Sequence, residues 1–250
     1  MASSYRNLML TRTKFGNKNG VMSLEGGASG RIIMPRGFYE VIAIGGGGGW
    51  AVSSNKEPGT YGSTLGGNFS VASGGGAASV KCRIELAESG TAEYAVGSRG
   101  EGSDMFGDAK TATAGSGGDT SLAVNGISIL CPGGKGGKAN ASNKGTGGAG
   151  GAAPTIVGAY GTVQSGGGGA GTANFSTSLS HGAMVDSTKG SVVVEVAKST
   201  LKYYGQGGSA TIYFDGFESS KNDLSYGRVD GMAGLLRLTY FGTVRPADWE

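Results

Sequence analysis

Residues 42–50 read Ile42-Ala43-Ile44-Gly45-Gly46-Gly47-Gly48-Gly49-Trp50. An apolar run passes directly into five glycines and ends on one of the chain's 2 tryptophans. The upstream residues Gly37–Ile44 (GFYEVIAI) are apolar at nearly every position, the pattern of a strand covered on both faces. The tract that follows is a linker, a phosphate cradle, or a structure built from glycine. Which of these it is decides the fold.

Composition narrows the choice. Glycine fills 53 of 250 positions and proline 5. That is well above the usual ~7% and short of the strict one-third that collagen needs. With 38% hydrophobic and 16% charged residues and a net charge of +3, the chain has the matter for a core and lacks the signature of disorder. Lys and Arg are scattered, with no basic run, so nucleic acid is not indicated as a partner. The first residues, MASSYRNLMLTRTKFG, hold no apolar signal core, and no segment reaches the ~18 apolar residues of a membrane span. We therefore expect synthesis in the cytoplasm without a signal peptide, and no membrane insertion.

Strand signals recur and helix signals are nearly absent. Residues 78–86 alternate, with Val80, Cys82, Ile84 and Leu86 on one face. Cys82 reads as a small buried hydrophobe, and Cys131 ends a similar apolar run; nothing in the sequence requires them to pair. Residues 91–96, 121–124, Ile127–Cys131, 191–197, Ser209–Asp215 and 234–241 are further strands, with Asn125-Gly126 a strong hairpin turn. The expected class is all-β, a β-sandwich or jelly-roll-like body with almost no helix.

Glycine tracts follow the strand ends at 45–49, 74–76, 115–118, 133–151 and 166–171, and are expected to project from one end of the body. Gly133-Gly134-Lys135-Gly136-Gly137-Lys138 is a Gly-Gly-X repeat, resumed by Gly147-Gly148-Ala149-Gly150-Gly151-Ala152; Gly166, Gly167, Gly168 and Gly169 form a later run. Period three is that of polyproline II. One reading is flexible linkers. The other is a packed array of polyproline-II-like (polyglycine II) segments, whose backbones approach closely and pair laterally because no Cβ intervenes. In that array Lys135, Lys138 and Ala149 would face outward. Several matched tracts in one chain favour the array.

The order of parts carries a resemblance. PRGFYEVIAIGGGGG at 35–49, then 74–96 ending near Val96-Gly97, then Gly117 to Gly126 within 115–137, and the closing strand at 231–241 resemble the glycine-rich domain of phage tail proteins and related adhesins. The likeness covers about residues 27–243, leaving 1–26 as an attachment segment and 244–250 as a tail. The style is also similar to that of the distal-tip adhesins of T-even-type phages, and more distantly to the polyglycine antifreeze proteins of springtails. The resemblance implies a virion location at the tail tip or fibre. Its implied partners are a host cell-surface protein or glycan and other virion tail or fibre proteins, with a homo-oligomer, a trimer, carried over from tail fibres.

Signals for catalysis are weak. A P-loop fails at both ends: Gly136-Gly137-Lys138 is followed by Ala139, and Pro132 stands where the first glycine belongs. His181, the only histidine, lies in a Gly/Ser loop. Glu85, Glu88 and the run from Asp215 to Glu218 read as surface acids. We expect no enzyme, no cofactor and no metal. Surface recognition is left, through larger residues between the tracts: Trp50, Tyr61 and Phe69; Asn140 and Lys144; Ile156 and Tyr160; Phe175 and His181. As rigid loop tips, the first set within 50–69, they would form a receptor-binding rim that binds through segments 50–65, 139–146, 154–164 and 172–189. The plainer alternative is that each packs over the glycine surface. At the level of function the rivals are a structural virion or filament subunit assembling through the glycine face and, more remotely, an ice-binding protein.

Overall fold

A computed structural model describes residues 20–57, 59–61, 64–107, 110–180, 182–193, 204–215 and 222–249. Over these residues the fold is all-β: five sheets, with one short 3-10 turn at Ala247–Trp249. Every strand pair is antiparallel except Ala51–Ser54 against Ser103–Phe106.

Two sheets make one stack. The first orders Gly20–Glu25, Leu235–Gly242, Gly37–Ile44, Ser79–Leu86 and Tyr160–Gly166; the second orders Thr155–Val157, Ile127–Cys131, Thr120–Val124, Gly90–Ala95 and Ser29–Met34. Alternate residues of both, among them Tyr39, Val41, Cys82, Ile84, Leu122, Ile129 and Leu238, close into one buried cluster. The hairpin between Val124 and Ile127 turns on Asn125 (φ 45) and Gly126 (φ 79), the positive pair that a two-residue turn of matching twist requires.

The strand Gly37–Ile44 is covered on both faces. Its other side carries Ile42 and Ile44, packed with Leu235 beneath Val192 and Tyr204. Phe38 lies on the same side, edge-on to the buried Trp249 at 6.1 Å. The ends set apart in the sequence are part of this stack where they are described. Gly20–Glu25 pairs along its length with Leu235–Gly242, and Trp249 is clamped by Phe241 at 4.8 Å and the Arg83 guanidinium at 4.8 Å.

Three more sheets make a second stack. Ala173–Ser180, Thr64–Ala72, Ala51–Ser54 and Ser103–Phe106 form its middle layer. One side packs Val52, Phe69, Val71 and Leu179 against Ile212, Phe214 and Leu224 of the sheet Met184–Asp186, Ser209–Asp215, Asn222–Val229 and Gly59–Tyr61. The other side meets the small sheet Thr111–Thr113, Lys138–Asn140 and Asn143–Thr146 through a cluster of alanines, Ala51, Ala72, Ala112, Ala114, Ala139 and Ala173, with the buried Ser70 hydroxyl accepting from Asn140 N–H. The body is therefore two β stacks, where the sequence suggested a single sandwich.

The glycine segments join the two stacks. Residues 45–49, 73–78, 97–102, 114–119, 132–137, 147–154, 167–172, 187–193, 204–208 and 230–234 each leave a strand of one stack or lead into a strand of the other. The expectation that the tracts project from one end is corrected: they cross between ends. Their hydrogen bonds are lateral and repeat every three residues. Gly45 and Gly48 donate to Ala78 and Gly75, Gly46 and Gly49 to Gly118 and Gly115, and Gly47 to Met232. The carbonyls of the same pass accept from Gly134 and Gly137, from Gly100 and from Gly208. Pass 45–49 thus touches six others. Pass 73–78 also has six, because it donates to 132–137, 167–172 and 204–208 and accepts from 45–49, 147–154 and 187–193. Two central passes with eight around them form a hexagonally packed bundle.

Close approach explains the glycines. A Cβ on Gly48 would overlap the Lys135 carbonyl, and one on Gly75 the Ala149 carbonyl. Larger residues stand on the outside of the bundle: Lys135 and Ala149 are exposed within their passes, and Lys138 is exposed in the strand that follows. Gly166 lies outside the bundle, paired with Ser79 at a strand end. The expected strand at 191–197 is absent over 191–193, and its remainder lies outside the described residues.

Candidate functional site

Because each pass reverses direction, successive connections alternate between the two stacks. The stack containing Gly20–Glu25 and Leu235–Gly242 forms a terminal pole, and the three-layer stack a far pole. Segments 50–69, 139–146 and 172–189 all build the far pole. Segment 154–164 does not. Thr155–Val157 pairs with Ile127–Cys131 and Tyr160–Gly166 with Ser79–Leu86, both at the terminal pole. Ile156 packs on the terminal core, and Tyr160 sits 6.0 Å from Trp249 with the Arg245 guanidinium 5.4 Å over its ring. Burial raises the Tyr160 hydroxyl pKa, against the lowering effect of Arg245. The single rim expected from the sequence is split between opposite ends.

Two of its members are not exposed. Phe69 is fully buried between the middle and outer layers of the far pole. Trp50 is buried as well: its Nε1 donates to Asp230 Oδ1 at 2.9 Å, and its ring lies under the Arg228 guanidinium at 5.1 Å. Gly102 leaves room for the indole, since a Cβ there would strike the ring. The physical reason is shared. A glycine bundle offers no side chains, so the first large residues beyond it fill the adjoining core.

The remaining candidates differ in freedom. Asn140 is half-buried and committed: its Oδ1 accepts from Ser142 N at 2.7 Å, its Nδ2 donates to Thr111 Oγ1 at 2.9 Å, and its own N–H reaches Ser70 Oγ at 3.2 Å. It shapes the hairpin that leaves Lys144 exposed. Phe175 is half-buried beside Ser70. Tyr61 stands in the short strand Gly59–Tyr61, and His181 lies outside the described residues.

Charge at the junction of bundle and far pole is paired. Arg99 meets Asp230 at 3.0 Å and Arg228 meets Asp104 at 2.6 Å, so two ion pairs bracket Trp50. Cys82 and Cys131 are free, buried thiols in the terminal core. Among the described residues, no group of three or more His, Cys, Asp or Glu is placed to hold a metal ion.

No family model and no curated protein matches this chain.

Met184, Tyr213 and Val229 are exposed on the outermost sheet of the far pole, and they lie on strands rather than on loops.

Proposed function

We propose that this chain is a phage or phage-derived tail-tip or fibre adhesin. Its far pole binds a host cell-surface protein or glycan, and its terminal pole seats on other tail or fibre proteins of the virion. The observation that carries this reading is the glycine bundle between the poles. Its three-residue repeat and lateral bonding match packed polyglycine II segments, at a rise of ~3.1 Å per residue. A pass of five residues then spans roughly 15 Å.

Such a bundle is a spacer with interlocked backbones and few side chains. Ordering each glycine costs ~1–2 kcal/mol or more in backbone entropy, which only dense mutual pairing offsets. It supports the far pole at a set distance from the strand pair Gly20–Glu25 and Leu235–Gly242. Attachment at one pole and display at the other is the geometry an adhesin needs.

Fluorescently labelled purified protein should adsorb to candidate host cells and compete with intact phage for them. Exchanging 139–146 and 172–189 for the equivalent segments of a related sequence should change the host bound. A second reading, a structural virion or filament subunit, draws on Ile33 and Val157, which leave apolar surface on the terminal pole at 48% and 53% exposure. Filaments or closed shells in electron micrographs of the purified protein would overturn the adhesin reading in favour of that one.

A further inference from the structure

The outer sheet of the far pole has one face in the core and one in solvent. Val185, Ala210, Ile212, Phe214 and Leu224 point inward and are buried. Alternation places Met184, Asp186, Thr211, Tyr213, Ser225 and Gly227 on the opposite side, in register: Met184 beside Tyr213 beside Ser225, and Asp186 beside Thr211 beside Gly227. Met184 is 65% exposed and Tyr213 38%. Val229, on the same side, is 47% exposed. Met184 and Tyr213 are cross-strand neighbours, so their apolar surfaces adjoin, while Val229 lies further along, beside Ser209.

Its chemistry is selective. Tyr213 leans towards Gly227, whose absent side chain leaves its floor open: a Cβ there would lie 3.4 Å from the ring and 3.7 Å from Thr211 Cβ. The phenol and the Met184 thioether provide a low, polarisable surface for aliphatic C–H groups. Around them stand an exposed carboxylate, Asp186, and two hydroxyls, Thr211 and Ser225. Carboxylate acceptors make strong charge-assisted bonds to hydroxyl donors. No Lys or Arg occupies these register positions, so an anionic ligand would face the Asp186 carboxylate.

A surface that is apolar in the middle, hydroxylic and acidic at the rim, and without Lys or Arg at these register positions fits an uncharged sugar ring. We propose that this face, centred on Tyr213 and Asp186, is a binding platform for a neutral sugar residue of a cell-surface glycan. The pyranose C–H face lies on Tyr213 and Met184 while its hydroxyls donate to Asp186. The biological setting rests on the adhesin reading; the sugar site itself can be tested on the isolated protein.

Saturation-transfer NMR on the full chain is the experiment. The probes are methyl glycosides of glucose, galactose, mannose and N-acetylglucosamine, their uncharged disaccharides, and the matching uronic acids. At least one uncharged probe should show transfer, with the uronic acids weaker. Tyr213→Ala should reduce affinity about tenfold and Asp186→Asn about threefold, while Tyr213→Phe keeps most of it. Both residues are exposed, so unchanged unfolding midpoints in these variants confirm intact folds.

No transfer from any uncharged probe, a preference for the uronic acids, or equal binding by a folded Tyr213→Ala protein would each overturn the proposal. The two readings separate cleanly. Cell adsorption lost in Tyr213→Ala without any sugar transfer removes the sugar site, leaves the adhesin and points to a protein receptor. Sugar transfer without adsorption to any cell leaves the site and removes the adhesin.

Discussion

Trp50 Nε1 donates a 2.9 Å hydrogen bond to Asp230 Oδ1 across 180 residues of sequence. It ties the end of the first glycine pass to the start of the last one. The same carboxylate pairs with Arg99 at 3.0 Å, so a residue expected at an exposed tip is instead a buried junction. Trp50→Phe keeps an aromatic body and removes the donor. It should cost about 1–2 kcal/mol, low in the range for a bond to a charged partner because the carboxylate is half exposed. Urea unfolding should give a lower midpoint at an unchanged slope. An unchanged midpoint would mean that the bond contributes nothing.

Gly48 and Ala149 lie on different sides of the bundle's steric boundary. Gly48 donates to Gly75 and accepts from Gly208, and a Cβ would overlap the Lys135 carbonyl. That neighbour is backbone and cannot swing aside as a side chain would. Gly48→Ala should cost about 3 kcal/mol or more, at the upper end for overpacking, or prevent folding altogether. Ala149→Ser, at an exposed position, should stay within about 0.5 kcal/mol. Equal effects in thermal unfolding would show that the bundle is not close-packed.

Burial, with a smaller contribution from Glu40, pushes the Cys82 thiol up to about 12. Burial, then Cys82 and Asp119, does the same for Cys131. Folding thus favours the neutral thiols. Their contribution is complete below the unfolded value of 9.0 and is lost as the pH climbs from there towards 12. Alkaline stability should fall across this window, and Cys82→Ala with Cys131→Ala should flatten the fall. In the native protein at pH 8, neither thiol should react with a disulfide reagent within minutes; both should react in urea. Rapid native labelling would show that the terminal core opens.

Tyr160 and Ile156 are at the terminal pole, away from the display surface. If the protein is an adhesin, Ile156→Ala and Tyr160→Ala should leave adsorption of folded protein to host cells unchanged. Exchange of 172–189 should alter it. Loss of adsorption in the first pair, with unfolding midpoints preserved, would move the receptor site to the terminal pole.

Much of the secondary structure is local and so was legible. Gly37–Ile44, Ser79–Leu86 and the Asn125-Gly126 hairpin rest on side-chain alternation and turn chemistry, which neighbours in sequence are enough to reveal. The short strands Ala51–Ser54, Ser103–Phe106, Thr111–Thr113 and Lys138–Asn140 were not legible. They are only three or four residues long, too short for alternation to show, and become strands only when a partner supplies the ladder bonds. Passes 187–193 and 230–234 are too poor in glycine to stand out. The tract 133–151 reads as one glycine run but holds two passes, 132–137 and 147–154, with the hairpin that carries Lys144 between them, so Lys144 and Tyr160 fall on opposite poles. The outer-face group at Tyr213 escaped for a related reason, because Met184 and Tyr213 meet only through strand register.

The sequence by itself determined an all-β chain and the places where only glycine would serve, because period-two alternation and missing side chains are written residue by residue. The tertiary structure decided which glycine segment packs on which, which pole each connection joins, and that Trp50 closes a core. Those outcomes depend on hydrogen bonds between backbones far apart in the chain. Glycine, having no side chain, carries no mark of the partner it will meet.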